Sequence, residues 1–271
     1  MSACSPLRGS AKPPQLCYPA MPENNKSEWL AESLRLTAFL KTQPSLDLSG
    51  SWKALVENEP DAVEAKPKER LILESGSFCE ATLTFKYMPF RVDWMVHPSD
   101  KAVGEPYPNV GRFVEGIQPF LELMKKWLVA APELTRLAFG AVLVSPVSGH
   151  DEGYTKLSKY LPFDVDLTAR NFRYQVNRRR ASRLNLPGLE INRLSNWSCR
   201  ERRMTAVMAQ LAPSGLTTLR EDSPSSFAMR LDLDINTVPE YPNSLGPRNL
   251  ADLFSEFVDL AAEIAEKGDV P

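Results

Sequence analysis

Residues 227–235 read Phe-Ala-Met-Arg-Leu-Asp-Leu-Asp-Ile, a stretch in which large apolar side chains alternate with small or charged ones. Successive side chains of a β-strand point to opposite faces of a sheet, so this alternation indicates a strand with one buried and one solvated face. Strands of that kind are typical of antiparallel sheets. The stretch therefore predicts an antiparallel sheet with one polar face.

The same alternation occurs earlier in the chain. Residues 79–87 and 90–97 both show it, and Met88 and Pro89 between them predict a tight antiparallel hairpin. Further strands are predicted at residues 134–144, 171–180 and 189–199, and residues 204–211 are predicted to form either a strand or a short helix.

Helical spacing of apolar residues predicts the rest of the fold. A first helix is expected over residues 27–41, a second over 110–130 with a start delayed by Pro119, a short one over 154–160, and a last one over 249–267. The second and the last are long and amphipathic, so they would cover the apolar face of the sheet. The predicted fold class is α+β: a two-layer sandwich, mainly antiparallel sheet covered on one face by two long helices.

The chain divides into three predicted parts. Residues 1–25 contain five prolines and are expected to form an irregular N-terminal arm. Residues 26–70 would hold the first helix and a charged linker. Residues 71–271 would form the main α+β domain.

The composition argues against several classes of protein. The formal net charge is −2 over 271 residues, so any nucleic-acid site would have to be a local patch. The four cysteines form no CxxC pair, which favours a reducing, cytoplasmic location over a zinc site or a disulfide framework. The sequence shows no secretory signal and no apolar run near the roughly 20 residues that span a bilayer, so we expect neither secretion nor membrane insertion.

Motifs of common enzyme families are missing from the sequence. It contains no GxxxxGK[ST], GxGxxG, HExxH or GxSxG, and its two histidines are His97 and His150. We therefore assign no catalytic residue and no cofactor, and we favour a protein that is not an enzyme, while leaving enzymatic activity open.

Two further sets of residues could carry chemistry. Asp232 and Asp234 fall on one strand face about 7 Å apart, and with a third carboxylate they could bind a divalent metal. A solvated sheet face, or pairing with arginine, is the favoured interpretation. Cys199 would need a neighbouring base, His150 or His97, to act as a nucleophile, and burial of this thiol is favoured.

An arginine-rich stretch is the strongest candidate site. Residues 170–203 contain ten arginines and two glutamates, which gives a local charge of 10 − 2 = +8. Aromatic residues interleave with them, as in surfaces that bind phosphates and stack on bases. An acidic protein partner or a merely solvated turn would explain the same pattern. The residues predicted to bind a polyanion or a partner are Arg170, Arg173, Arg178, Arg179, Arg180 and Arg183.

The order of the elements resembles a sporadically distributed family of bacterial proteins of uncharacterised function. The resemblance covers residues 75–266 and rests on Leu134–Phe139, the stretch 154–163, the basic strand that follows, and Met229–Asp234 before a closing amphipathic helix. It implies no catalytic residues. It implies an accessory or immunity role in a bacterial defence or mobile-element locus.

Three functional hypotheses follow from these observations. The first is a non-enzymatic binding or interaction protein with a protein partner. The second is nucleic-acid binding through the arginine-rich strand and hairpin. The third is a metal-dependent enzyme that uses Asp232 and Asp234.

Overall fold

The computed structural model describes residues 28–42, 51–102, 106–203, 205–212, 215–222 and 225–269, and the arm predicted at residues 1–25 lies outside them. The strands within these residues are β1 (Leu30–Leu40), β2 (Ala62–Lys66), β3 (Leu71–Phe78), β4 (Ala81–Met88), β5 (Arg91–Pro98), β6 (Leu134–Val147), β7 (Arg173–Ala181), β8 (Glu190–Arg202), β9 (Thr205–Ala212), β10 (Gly215–Asp222) and β11 (Ser226–Thr237). The α-helices are α1 (Ser51–Val56), α2 (Gln118–Ala130), α3 (His150–Leu157) and α4 (Pro247–Lys267).

Nine of these strands form one sheet in the order β2-β3-β4-β5-β1-β6-β11-β8-β7, and β9 pairs with β10 in a separate hairpin. Every pairing is antiparallel. The predicted antiparallel sheet and the α+β class are therefore confirmed. Strand β7 forms one edge of the large sheet and β2 forms the other.

Alternation along β11 separates the two faces of the sheet as the sequence predicts. Met229, Leu231 and Leu233 are buried on one face, whereas Arg230 and Asp232 point to the other. Burial of a large apolar side chain stabilises the folded state by about 1.5–3 kcal/mol, so this parity fixes the register of the strand.

The helices pack against the apolar face of the sheet. Phe254 of α4 meets Phe139 of β6 edge to face at 5.7 Å between ring centroids, and Trp127 of α2 meets Trp94 of β5 at 6.4 Å. Trp52 of α1 stacks on Trp94 at 6.1 Å. Of the described helices only α4 is long, with 21 residues. The helix predicted over residues 110–130 begins at Gln118 and has 13, so the prediction of two long helices is not confirmed. The delay that Pro119 predicts is confirmed.

The helix predicted over residues 27–41 is wrong. Leu30–Leu40 of this stretch form β1, which lies between β5 and β6. Leu34, Leu36 and Ala38 alternate into the core, but a register shift between Ala31 and Ser33 interrupts the alternation near the start of the strand. Pairing on both sides outweighs the helical spacing of the leucines.

Residues 57–70, predicted as a charged loop, contain β2, and β3 follows directly after them. Every residue of β2 is exposed, so the strand carries no apolar alternation that would distinguish it from a loop. The predicted hairpin around Met88 and Pro89 is confirmed by the pairing of β4 with β5. Of the two structures predicted for residues 204–211, the strand is confirmed as β9.

Candidate functional site

The structure divides the six predicted arginines between the two faces of β7 and the segments before and after it. Arg178 and Arg180 lie on the helix-covered face of β7, because they pair with the buried Arg193 and Ile191 of β8. The remaining four are Arg173 and Arg179 on the opposite face, Arg170 before β7 and Arg183 after it. They do not form one cluster.

Arg178 is bound to the C-terminal end of the described chain. Its Nε and Nη2 donate to the Asp269 carboxylate at 2.5 and 2.8 Å, and the Tyr174 hydroxyl donates to the same group at 2.9 Å. The Asp269 side chain is only 2% exposed. The hydrogen bond from Arg178 lowers the pKa of Asp269 below its ordinary value, so this buried carboxylate is charged at neutral pH.

Arg180 is bound to α4, the helix that precedes Asp269. Its Nη1 donates to Glu263 Oε2 at 2.8 Å, and Arg193 Nη2 lies 3.5 Å from the same oxygen. The Arg193 side chain is 1% exposed, and burial followed by the charge of Arg180 lowers its pKa. One glutamate of α4 therefore faces two arginines of neighbouring strands.

The hairpin after β7 is held by two more acidic residues of α4. The backbone N–H of Arg183 donates to Glu256 Oε1 at 2.7 Å, and its Nη2 donates to Asp259 Oδ2 at 2.7 Å. Ser182 Oγ donates to the other oxygen of Glu256. These contacts neutralise part of the arginine-rich stretch inside the molecule.

Sequence reasoning missed this acidic side of α4. Glu256, Asp259 and Glu263 are spaced at i, i+3 and i+7, so they share one face of the helix. That spacing is readable in the sequence, but its arginine partners are 73–83 positions earlier. Only the fold brings them together.

The sheet face opposite the helices carries a continuous chain of polar contacts. Arg173 Nε donates to Asn196 Oδ1 at 2.9 Å, Asn196 Nδ2 donates to Asp232 Oδ2 at 3.1 Å, and Arg230 Nε donates to Asp232 Oδ1 at 2.8 Å. Arg230 also donates to Glu32. This face, called the polar face below, carries residues of β1, β4, β5, β6, β7, β8 and β11.

A second row of amides runs across the same strands. Asn177 Nδ2 donates to Asn192 Oδ1, and Asn192 Nδ2 donates to Asn236 Oδ1, both at 3.1 Å. Asn236 Nδ2 then donates to Asp234 Oδ1 at 3.0 Å, and Arg136 donates to Asn236 at 3.1 Å. The side chains of the polar face are thus held in fixed rotamers by one another.

The predicted aspartate pair lies on this face, as its parity requires. Asp232 accepts hydrogen bonds from Arg230 and Asn196, and Asp234 accepts one from Asn236. In the described part of the chain, no group of three or more His, Cys, Asp and Glu residues could hold a metal ion. Pairing with arginine and asparagine is therefore the environment that the structure gives the two carboxylates.

Cys199 lies in the core beneath α3. Burial raises the pKa of its thiol to about 11, and a Cβ at Gly153 would stand 2.4 Å from its sulfur. His150 contacts the rings of Phe227 and Tyr154. A thiol with a raised pKa is a poor nucleophile, which agrees with the favoured interpretation of Cys199 as a buried residue.

A cavity of about 640 Å³ lies at the opposite half of the molecule. Leu34, Val96 and Phe120 contribute to its apolar lining, and Glu80 and Asn109 are among its polar residues. It shares no residue with the arginine set or with the polar face. Among the residues that the structure describes, its lining contains no cationic side chain.

No protein-family model matches this chain, and no curated protein matches its sequence. None of the described helices is long and apolar enough to cross a membrane. The function must therefore be argued from the geometry of the chain itself.

Proposed function

We propose that this protein is a non-enzymatic binding protein and that its polar face contacts a protein partner. The observation that supports this proposal is the hydrogen-bonded network from Arg173 through Asn196, Asp232 and Arg230 to Glu32. Side chains that are already ordered lose little conformational entropy when a partner binds, so such a surface is prepared for recognition.

The proposal takes the molecule as a two-layer sandwich in which α2 and α4 cover the other face of the sheet. Arginine is enriched in protein interfaces, and several arginines on the polar face have their charge balanced by neighbouring carboxylates. A mixed-charge face of this kind favours a protein partner of complementary charge pattern.

The arginine contacts support a protein partner over a nucleic acid. Arg178, Arg180 and Arg183 are all bound to carboxylates of the C-terminal segment. Polyanion affinity comes from cations that release counterions, and an arginine with a bound carboxylate contributes less to it.

The resemblance to the sporadically distributed bacterial family extends the proposal to an accessory or immunity role in a defence or mobile-element locus. A cytoplasmic location is part of the same prediction. Genes for a toxin, nuclease or defence effector beside the gene for this protein would support that role, and neighbours with unrelated housekeeping roles would argue against it.

Affinity capture from the native host with a series of charge reversals tests the proposal. Lys86→Glu, Arg35→Glu and Arg200→Glu place the change at three separate positions of the polar face, on β4, β1 and β8. Arg248→Glu, on the exposed first turn of α4, is the matched control.

We expect that the wild type and the Arg248→Glu variant capture the same host protein. At least one of the three polar-face variants should fail to capture it. The same protein, once purified, should bind the wild type directly. A protein lost only with the Arg248 variant, or retained equally by all forms, would count against the polar face.

A further inference from the structure

The outer edge of β7 presents backbone groups that β8 does not use. The N–H of Ser182 donates to the Leu189 carbonyl at 2.9 Å, and this pair continues the register that joins Ala181 to Glu190. Hydrogen-bonded pairs recur at every second residue of an antiparallel ladder, so the even-numbered residues of β7 face β8. The odd-numbered residues, from Arg173 to Arg179, point their N–H and C=O groups outward.

Side chains next to this edge differ between its two sides. On the polar face the row is Arg173, Gln175, Asn177 and Arg179, all exposed. On the helix-covered side are Tyr174 and Val176, and Phe163 packs against Tyr174 at 5.1 Å while remaining 42% exposed. A strand added here would meet cations and amides on one side and apolar rings on the other.

Arg173 and Arg179 keep much of their charge available to a partner. Arg173 has an amide, Asn196, as its hydrogen-bond partner among the described residues. Arg179 lies 3.8 Å from Glu190 and 3.2 Å from Glu240, and all three side chains are about half exposed or more. Exposed ion pairs of this kind contribute little energy and exchange readily for other carboxylates.

The charge of the strand argues against a second copy of this chain as the occupant. β7 reads Arg-Tyr-Gln-Val-Asn-Arg-Arg-Arg-Ala, with four arginines and no acidic residue. Antiparallel pairing of two such strands would bring the exposed Arg173 and Arg179 of both copies into one row, and like charges in neighbouring positions destabilise a sheet. Charged edges of this kind prevent self-association of edge strands.

We propose that the edge of β7 binds an extended acidic segment of a protein partner as an added strand. The segment would alternate acidic residues, beside Arg173 and Arg179, with aliphatic residues, beside Tyr174 and Val176. Main-chain hydrogen bonds to the odd-numbered residues would supply affinity, and the alternation would supply specificity. The inference rests on the proposed binding function and specifies one part of the surface and the chemistry of its partner.

A synthetic peptide tests this directly. We would measure the fluorescence anisotropy of a labelled peptide that alternates glutamate with valine, about as long as β7, on titration with the full chain. The controls are the same peptide with lysine for glutamate, the same peptide with alternate backbone amides N-methylated, and a labelled oligothymidylate. We expect binding of the first peptide alone, because N-methylation removes its main-chain donors and leaves its charge unchanged.

Two variants locate the site on the protein. Gln175→Pro removes an outward N–H of β7 and leaves the ladder with β8 intact, because Gln175 is at an outward position. Gln175→Thr is the matched control. We expect the proline variant to weaken peptide binding about tenfold or more and the threonine variant to leave it within about twofold, with Arg173→Glu also weakening it. If the proline variant does not fold, the N-methylated peptide still decides the question.

Several results would overturn the inference. Equal binding of the parent and N-methylated peptides, or competition by oligothymidylate, would show an electrostatic site without strand addition. A concentration-dependent dimer of the wild type that Gln175→Pro abolishes would show self-pairing. A partner lost with the Lys86, Arg35 or Arg200 reversals but bound normally by Gln175→Pro would leave the proposed function standing and remove the β7 edge from it.

Discussion

At the scale of single residues, Asp269 holds the arginine-rich strand to the end of the chain. Its carboxylate accepts hydrogen bonds from Arg178 and Tyr174, and its backbone N–H donates to the Tyr160 carbonyl at 2.8 Å. The preceding Gly268 has φ +84°, a conformation that glycine adopts without steric cost. Strand β7, the turn after α3 and the end of α4 therefore meet at this one short segment.

Asp269→Asn should lower the free energy of unfolding by about 1–3 kcal/mol at neutral pH, because Arg178 loses a buried charged partner. Since the folded-state pKa lies below the ordinary value of 3.8, this contribution is fully present above pH 3.8 and is lost as the pH falls through the folded pKa. Urea unfolding of both forms at neutral and acidic pH measures it. A difference in stability that stays constant into the acidic range would contradict the assignment.

Gly153→Ala should destabilise the protein by about 1–3 kcal/mol, although alanine favours helices, because the new methyl group would stand 2.4 Å from the Cys199 sulfur. Cys199→Ala in the same chain should recover most of the loss. Thermal or urea unfolding of the wild type, the two single variants and the double variant gives a complete double-mutant cycle. Additive effects of the two changes would show that the contact is not the cause.

At the scale of elements, strands with one buried face were predictable and strands without that pattern were not. β4, β5 and β11 alternate clearly, and their faces follow from parity. β2 has no buried residue, and β1 has a register shift near its start, so neither shows a clean period of two. Their pairing is decided by neighbours distant in the sequence.

The ion pairs that α4 forms with β7 and with the hairpin after β7 should differ in strength according to the burial of their side chains. A double-mutant cycle with Arg180→Gln and Glu263→Gln should give a coupling of about 0.5–1.5 kcal/mol, because Glu263 is only 24% exposed. The control is the pair of Arg183, in the hairpin after β7, with Asp259 of α4; it is about 60% exposed and should give less. Equal coupling in the two cycles would mean that burial does not set their strength.

At the scale of the whole molecule, the site was only partly predictable for a physical reason. The sequence identifies the arginines of β7, but their partners Glu263 and Asp269 are 83 and 91 positions away. The alternation of side chains along β7 is readable in the sequence, and it predicts that Arg173 and Arg179 lie on one face of the sheet and Arg178 and Arg180 on the other. The identity of the neutralising groups depends on where α4 ends, which local pattern does not encode.

The central position of β1 makes a prediction about the stability of the sheet. Its backbone is paired with β5 and β6, so its amides should exchange hydrogen only through global unfolding, whereas those of the edge strand β2 should exchange through local opening. Hydrogen exchange measured by mass spectrometry on peptides from both strands tests this. Exchange of β1 at the rate of β2 would place β1 outside the sheet.

Side-chain footprinting of the complex tests the central claim, binding through the polar face, most directly. Hydroxyl radicals label Met95 and Phe39, which lie partly exposed on the polar face, and Trp127, which is partly exposed on α2. With the purified partner bound, we predict that labelling of Met95 and Phe39 falls and that labelling of Trp127 is unchanged. Protection of Trp127 with full labelling of Met95 and Phe39 would contradict the account.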